Sequence, residues 1–183
     1  MKIKSIFAVA IITLITAGGL FAQNKKNSKT LVMYFSWGGT TEKMAKMISS
    51  SNGWELFRIE PTKAYPTSYT PCTEVVKEEL DNGIFRQVKK APDFSKYDTI
   101  FVGIPVWWHT APTLMTHFLE ENKEALKGKT IIPFCTYQAT YRAETLQAIV
   151  DATPTASHKE GYGTTNPKQN DVDAWLKKIG VKK

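Results

Sequence analysis

Cysteine and histidine are scarce in this chain of 183 residues, and neither is arranged for metal or dithiol redox chemistry. There are two cysteines and three histidines. Cys72 and Cys135 do not form a CxxC pair, and neither His117 nor His158 has a partner at ligand spacing. Because zinc sites and dithiol centres need such spacing, the pattern predicts no metal site and no redox dithiol.

Three other features are missing, and each excludes a class of protein. No internal repeat is visible, which argues against a solenoid. The formal net charge is +7, but the lysines are scattered and form no basic stripe with interleaved aromatic residues, so we expect no nucleic-acid binding. Ser36 is not part of the GxSxG turn of the α/β-hydrolases, and no Ser–His–Asp pattern is apparent.

The N-terminus has the layout of a secretory signal peptide. Two lysines precede an apolar run from Ile6 to Ile15, and small residues lead up to Ala22. The apolar run is too short for a comfortable membrane span, so we expect cleavage after Ala22 and no stable span afterwards. The chain is then divided into a signal peptide (1–22), a polar leader (23–29) and one domain (30–183). The mature protein is expected to be exported, either periplasmic or secreted.

Export leaves two interpretations of the cysteines open. A disulfide between Cys72 and Cys135 is compatible with an exported protein. The alternative, which we favour, is two unrelated thiols with Cys135 buried at the end of a strand.

The domain alternates apolar strands with amphipathic helices. This alternation predicts an α/β fold in which helices cover both faces of a parallel sheet. The predicted strands are 31–35, 54–59, 99–104, 130–135 and a weak one within 155–162. The predicted helices are 40–51, 73–80, one that follows Pro112, 143–151 and 171–179.

The long connection between the second and third strands is the least regular part of the chain. Its stretch Pro61–Pro71 contains three prolines, so we expect no regular helix there. Thr73 is predicted to cap the helix that follows. Glu78 and Glu79 are predicted to be solvated charges on that helix.

Three loops follow the carboxyl ends of predicted strands, which is where open parallel sheets bind ligands. They are Ser36–Thr41, Pro105–Thr110 and Thr136–Thr140. The first combines two glycines with three hydroxyl residues at the start of a helix. Since free backbone N–H groups, hydroxyls and the helix dipole all favour an anion, this loop predicts a phosphate site.

The second and third loops contribute aromatic rings to the same edge. Trp107 and Trp108 lie side by side after one strand, and Tyr137 follows another. Aromatic faces can stack on a planar ring system and exclude water. The three loops together therefore predict a planar, phosphorylated ligand.

These motifs resemble those of the flavodoxin family. Ser36–Thr41 is similar to the family's FMN phosphate loop, and Tyr97–Pro112 to the strand and loop that line the isoalloxazine ring. Pro133–Tyr137 resembles the third signature, and Tyr65–Tyr69 resembles a bacterial branch of the family. The resemblance implies a three-layer sandwich around a five-stranded parallel sheet of order 2-1-3-4-5, with FMN bound noncovalently.

The resemblance also assigns positions in this sequence to FMN. The phosphate would be held by Ser36, Gly38, Gly39, Thr40 and Thr41, with Trp37 in the same loop. The ring would contact the backbone of Pro105 and Val106 together with Trp107 or Trp108, and Thr136 and Tyr137 would close the other side. Apart from the resemblance, His109 lies in the second loop and could donate a hydrogen bond to the flavin or to a substrate, although a lone histidine is more often a surface or turn residue.

The function implied is electron transfer, with a redox protein or a small electron acceptor as partner. Family members that carry electrons are acidic, whereas this chain is basic, and its third loop is bulkier because it contains Gln138–Tyr141 rather than more glycine. Two alternatives therefore stay open. One is an NAD(P)H-dependent oxidoreductase of quinones or other small molecules, and the other is a flavin-free binding module on the same fold.

Overall fold

The computed structural model describes residues 29–182, so the predicted signal peptide and nearly all of the polar leader lie outside the described residues. The strands are β1 (Thr30–Tyr34), β2 (Glu55–Arg58), β3 (Thr99–Pro105), β4 (Thr130–Thr136), β5 (Ser157–His158) and β6 (Tyr162–Thr164). The helices are α1 (Thr40–Ser50), α2 (Tyr69–Asn82), α3 (Thr113–Glu121), α4 (Lys123–Leu126), α5 (Arg142–Asp151) and α6 (Gln169–Lys178), with a short 3-10 turn at Phe94–Lys96. Within residues 29–182, no helix combines the length and the apolar character needed to cross a bilayer.

The sheet is parallel throughout and has the order β2-β1-β3-β4-β5, as predicted. The weak fifth strand differs from the prediction because it is split in two. β5 pairs with the first residues of β4, and β6 pairs with the last ones. Ile131 still accepts a hydrogen bond from Lys159, but Pro133, two residues further on the same side, has no N–H to donate. The proline therefore interrupts the ladder between the two segments.

Helices cover both faces of the sheet, which gives three layers. Along β1, Leu31 and Met33 pack into a core shared with α2, α3 and α5, whereas Val32 and Tyr34 pack on the other face against α1 and α6. Side chains of successive strand residues point to opposite faces, so an apolar run can be buried on both sides. This arrangement leaves the carboxyl edge of the strands as the place where loops meet.

Helix α2 begins earlier than predicted. It starts at Tyr69 after the N-cap residue Ser68, and Pro71 is its third residue, so the expectation that 61–71 contains no helix is wrong at its end. Thr73 lies inside the helix and is not its cap. A proline is tolerated in the first turn because the N–H that it lacks would have no partner within the helix.

The adjacent glutamates Glu78 and Glu79 of α2 have different environments. Glu78 is exposed, as predicted, but Glu79 is only 4% exposed. It pairs with Arg86, which lies beyond the end of the helix and folds back over it. The prediction of a solvated Glu79 is therefore wrong, because a buried carboxylate is tolerated when a charged partner and hydrogen bonds compensate it.

Candidate functional site

A cavity of about 560 Å³ lies at the carboxyl edge of the sheet, where the loops after β1, β3 and β4 meet helix α2. Sites for small molecules have volumes of roughly 300–1,000 Å³, so this cavity could hold one. All of the predicted site residues except Gly39 line it. They are Ser36, Trp37, Gly38, Thr40, Thr41, Pro105, Val106, Trp107, Trp108, His109, Thr136 and Tyr137.

The first loop leaves the N-terminus of α1 without a side-chain cap. Ser36 Oγ accepts a hydrogen bond from the N–H of Gly39 at 3.1 Å, so this N–H points into the loop, and Gly39 does not line the cavity. Gly39 has a φ of 88°, a left-handed conformation that favours glycine. The first-turn N–H groups of α1 have no capping side chain, which makes this end of the cavity suitable for an anion.

Gly38 has no structural reason to be glycine within the protein. Its φ lies outside the left-handed region, and a Cβ added to it would meet no atom within 4 Å. Gly38 is one of the residues that line the cavity. A ligand that comes close to the backbone at this point would explain the glycine.

A pair of buried hydroxyls joins the first loop to the end of β4. Thr41 Oγ1 and Thr136 Oγ1 are 2.8 Å apart, and both residues line the cavity. One hydroxyl donates to the other, which fixes α1 against β4 and leaves the second hydroxyl with a proton for another acceptor.

The second loop is a tight turn with an unusual composition. Trp107 and Thr110 exchange two backbone hydrogen bonds, of 2.9 and 3.0 Å. Trp108 and His109, between them, have φ values of 44° and 70°. Positive φ at both central residues is typical of a type I′ turn, which usually contains glycine or asparagine. The turn places both side chains at the mouth of the cavity, where Trp108 is 44% exposed.

The two adjacent tryptophans therefore have different environments. Trp107 is half-buried and packs edge-on against Phe35 and Tyr65, with ring centroids 5.3 and 4.9 Å away. Trp108 lies at the rim, and its indole N–H donates to the carbonyl of Thr73 at 2.9 Å. Both rings border the cavity from fixed positions.

The third loop closes over the cavity from the opposite side. Tyr141, whose φ is 67°, stacks on His109 with ring centroids 3.9 Å apart. This contact connects the second loop to the third. The bulky residues of Gln138–Tyr141 all line the cavity.

Sequence reasoning missed the wall that α2 contributes. Tyr69, Cys72, Thr73 and Val76 line the cavity. Cys72 and Val76, four residues apart, are buried on the sheet side of α2, and this spacing is the signal that could have indicated an inward face. Nothing in the sequence indicated that this face would extend to the ends of β1 and β3.

No carboxylate, ammonium or guanidinium group lines the cavity. Its lining residues include no Asp, Glu, Lys or Arg. An anion bound there would be held by N–H groups, hydroxyls and the helix dipole rather than by a cation. Among residues 29–182, no three or more His, Cys, Asp or Glu side chains are grouped so that they could hold a metal ion.

Both cysteines are buried and free, which agrees with the favoured interpretation of two separate thiols. Burial raises the pKa of the Cys135 thiol to about 12, and burial also raises the pKa of Cys72, which faces the cavity. The reactive thiolate is therefore scarce at both positions near neutral pH.

This burial predicts the rates of thiol modification. In the Cys72→Ser variant at pH 8, Cys135 is expected to resist Ellman's reagent until the protein unfolds. In the Cys135→Ser variant, Cys72 should react slowly through the cavity, and faster than Cys135. Urea-unfolded samples provide the control rate. Equal reaction rates in the folded and unfolded states would contradict the buried position of Cys135.

Known proteins share this sequence pattern and this fold. The sequence profile of the flavodoxin family matches residues 29–179. No curated protein sequence matches the chain significantly.

Among solved structures, a candidate flavoprotein from Bacteroides eggerthii is 30% identical, with a TM-score of 0.73 over 85% of this chain and 100% of that one. A candidate flavoprotein from Bacteroides uniformis is 27% identical, with a TM-score of 0.70 over 83% and 99% of the two chains. A flavoprotein from Lactobacillus acidophilus, solved in complex with FMN, is 23% identical, with a TM-score of 0.67 over 81% and 98%.

Proposed function

The chain belongs to the flavodoxin family, and from that premise we propose that its cavity binds FMN and that the protein takes part in electron transfer. The observation that carries the proposal is the arrangement of the cavity. An uncapped helix N-terminus lies at one end, and fixed aromatic rings lie at the other. The FMN bound by the Lactobacillus acidophilus protein, which has the same fold, supports the choice of flavin.

The residues at the first loop fit a phosphate. Helix α1 has 11 residues, so its dipole is well developed at the N-terminus. The hydroxyls of Thr40 and Thr41 border the cavity next to this terminus, and Gly38 leaves room for the ligand to approach the backbone. In the proposed complex, these groups donate hydrogen bonds to the phosphate oxygens and fix the orientation of the ligand.

The residues at the second and third loops fit a planar ring. Trp108 and Tyr137 approach the cavity from β3 and β4, and Trp107 forms part of the wall between them. Their faces and edges would bury the flat surfaces of the flavin and exclude water from them. When bound, FMN supplies the one- and two-electron chemistry, and the protein sets its position and environment.

A specific observation favours a second candidate, an NAD(P)H-dependent oxidoreductase of quinones or other small molecules. Tyr69 is 73% exposed and Trp108 is 44% exposed, and both line the cavity. Exposed rings at the mouth of a cavity could stack on a second planar molecule. Rapid reduction of the bound flavin by NADPH alone would distinguish the enzyme from an electron carrier.

We place this activity outside the cytoplasm, in the periplasm or as a secreted protein, on the basis of the signal-peptide layout of residues 1–22. The partner would be a redox protein or a small electron acceptor. The basic net charge of the chain suits acidic partners.

The proposal predicts that purified protein spanning residues 23–183 retains FMN in near-stoichiometric amount. The visible absorption spectrum would be recorded before and after incubation with FMN and desalting. Retained flavin bands would support the proposal, and reduction assays with NADPH and quinones would follow. A folded protein that does not retain FMN would reject it and leave a flavin-free binding module as the better interpretation.

A further inference from the structure

We infer that the buried ion pair of Glu79 and Arg86 is a positioning device for the tryptophans that line the cavity. This inference rests on the proposed function, because its effect on FMN depends on FMN binding there. Neither Glu79 nor Arg86 lines the cavity. They act through Tyr65 and through the segment that leads into α2. Trp37, Trp107 and Trp108 are called the tryptophan wall below.

The ion pair fixes Tyr65 at two points. The Glu79 carboxylate accepts a hydrogen bond from the Tyr65 hydroxyl at 2.8 Å and another from Arg86 Nε. The guanidinium of Arg86 lies 4.0 Å from the centre of the Tyr65 ring. Burial and the bond to Glu79 raise the pKa of the Tyr65 phenol, so it stays protonated and keeps donating. These two contacts restrict both rotation and tilting of the Tyr65 ring.

Arg86 also holds the chain just before Tyr65. Its Nη1 donates to the carbonyls of Lys63 and Ala64 at 2.7 and 3.1 Å. These two bonds lie at the surface, whereas the side chains of Arg86 and Glu79 are only 10% and 6% exposed, so the ion pair itself is shielded from bulk water and is stronger for it. The ion pair therefore holds both the Tyr65 ring and the two residues that precede it.

Contacts from this segment reach the whole tryptophan wall. The ring of Tyr65 packs edge-on against Trp107, with an interplanar angle of 83°. The carbonyl of Pro66 accepts the indole N–H of Trp37 at 2.8 Å, and the carbonyl of Thr73 accepts that of Trp108. Movement of 65–73 would change the position of all three rings.

The other two tryptophans of the chain are natural controls. Trp54 and Trp175 lie on the opposite face of the sheet, where both pack on Phe101. The ion pair makes no contact with that core. A local effect of the pair should reach the tryptophan wall only, whereas a general loss of stability would affect all five rings.

Placing charges in a core is a costly way to gain stability. A buried ion pair is often no more stabilising than apolar residues of similar volume, although removing one partner leaves the other charge uncompensated. The pair instead determines the orientation of the groups bound to it, because the carboxylate accepts and the guanidinium donates hydrogen bonds at preferred angles. A buried pair that fixes geometry is what a positioning role requires.

The test uses purified protein labelled with 5-fluorotryptophan, with the five ¹⁹F resonances assigned by single Trp→Phe variants. In Glu79→Gln and in Arg86→Lys, the resonances of the tryptophan wall are expected to shift or broaden, whereas those of Trp54 and Trp175 stay in place. Tyr65→Phe, which removes only one hydroxyl, should shift mainly the resonance of Trp107. Glu78→Gln, which changes the exposed neighbouring carboxylate, is the matched control and should shift none of the five resonances.

Flavin titrations of the same proteins give the second readout. The dissociation constants of FMN and of riboflavin are both expected to rise roughly tenfold in Glu79→Gln, because Trp107 and Trp108 of the tryptophan wall are proposed to contact the ring that the two ligands share. Movement of all five resonances, or none in the wall, would overturn the inference. Wall resonances that move while the unmodified protein binds no FMN would reject the proposed function and retain the positioning role.

Discussion

Replacing Gly103 with alanine is expected to lower the free energy of unfolding by about 3 kcal/mol, at the upper end of the cost of overpacking a core. Gly103 lies in β3, between β1 and β4, and pairs with Phe134. A Cβ at this position would lie 2.0 Å from Cζ of Phe134, whose ring is fully buried. The ring is rigid and enclosed, so the strand or the ring has to move.

The change is measured by urea unfolding, followed by circular dichroism. Gly38→Ala is the matched control, because its Cβ meets no atom within 4 Å, and it should change stability by less than about 0.5 kcal/mol, as surface substitutions usually do. Adding Phe134→Leu to Gly103→Ala should recover part of the lost stability. A loss below about 1 kcal/mol in Gly103→Ala would mean that the core relaxes around the new methyl group far more easily than packed interiors do.

The parts of this fold that the sequence predicted are those with a strong local signal. Leu31–Phe35 and Thr99–Ile104 are apolar runs of strand length, and each falls within one residue of an observed strand at either end. A strand that is buried on both faces is a continuous apolar run, so its assignment does not depend on an alternation of apolar and polar residues. The strand order came from the resemblance to the flavodoxin family, since local patterns do not determine which strands are neighbours.

The parts that were missed depend on tertiary contacts that local sequence patterns do not show. Nothing near Glu79 in the sequence indicates that Arg86 returns from beyond the helix to pair with it. The split of the last strand depends on Pro133 of the neighbouring strand. Both are tertiary effects that override local propensity, and a single sequence does not display them.

The site was predictable for a related reason. Residues that follow parallel strands meet at one edge of the sheet, so the sequence alone predicted that Ser36, Trp107 and Thr136 lie close together. The contribution of α2 could not be predicted, because that helix lies in a long connection whose path is not determined by local sequence patterns. The left-handed turn at Trp108 and His109 was also hidden, since a bulky Trp rarely adopts a positive φ and the moderate tendency of His to do so is too weak a signal on its own.

The sharpest test of the phosphate end uses a matched pair of variants. Gly38→Asp is expected to weaken FMN binding roughly 100-fold more than Gly38→Asn does. The two side chains have nearly the same shape, and at Gly38, which lines the cavity, the added Cβ of either would meet no protein atom within 4 Å. A carboxylate at roughly 5 Å from the phosphate costs about 3 kcal/mol at an effective dielectric constant of about 20, which is roughly a factor of 100 in affinity.

Riboflavin, which lacks the phosphate, separates charge from shape. Dissociation constants would be measured by quenching of flavin fluorescence, with both ligands and both variants. Riboflavin should bind equally well to Gly38→Asp and Gly38→Asn, because the added charge then has no anion to repel. This pattern differs from that of Glu79→Gln, which is expected to weaken the binding of FMN and of riboflavin to the same extent. If Gly38→Asp and Gly38→Asn bound FMN equally, the phosphate would lie away from the first loop, and the assignment of Ser36–Thr41 would be wrong even if the protein retained FMN.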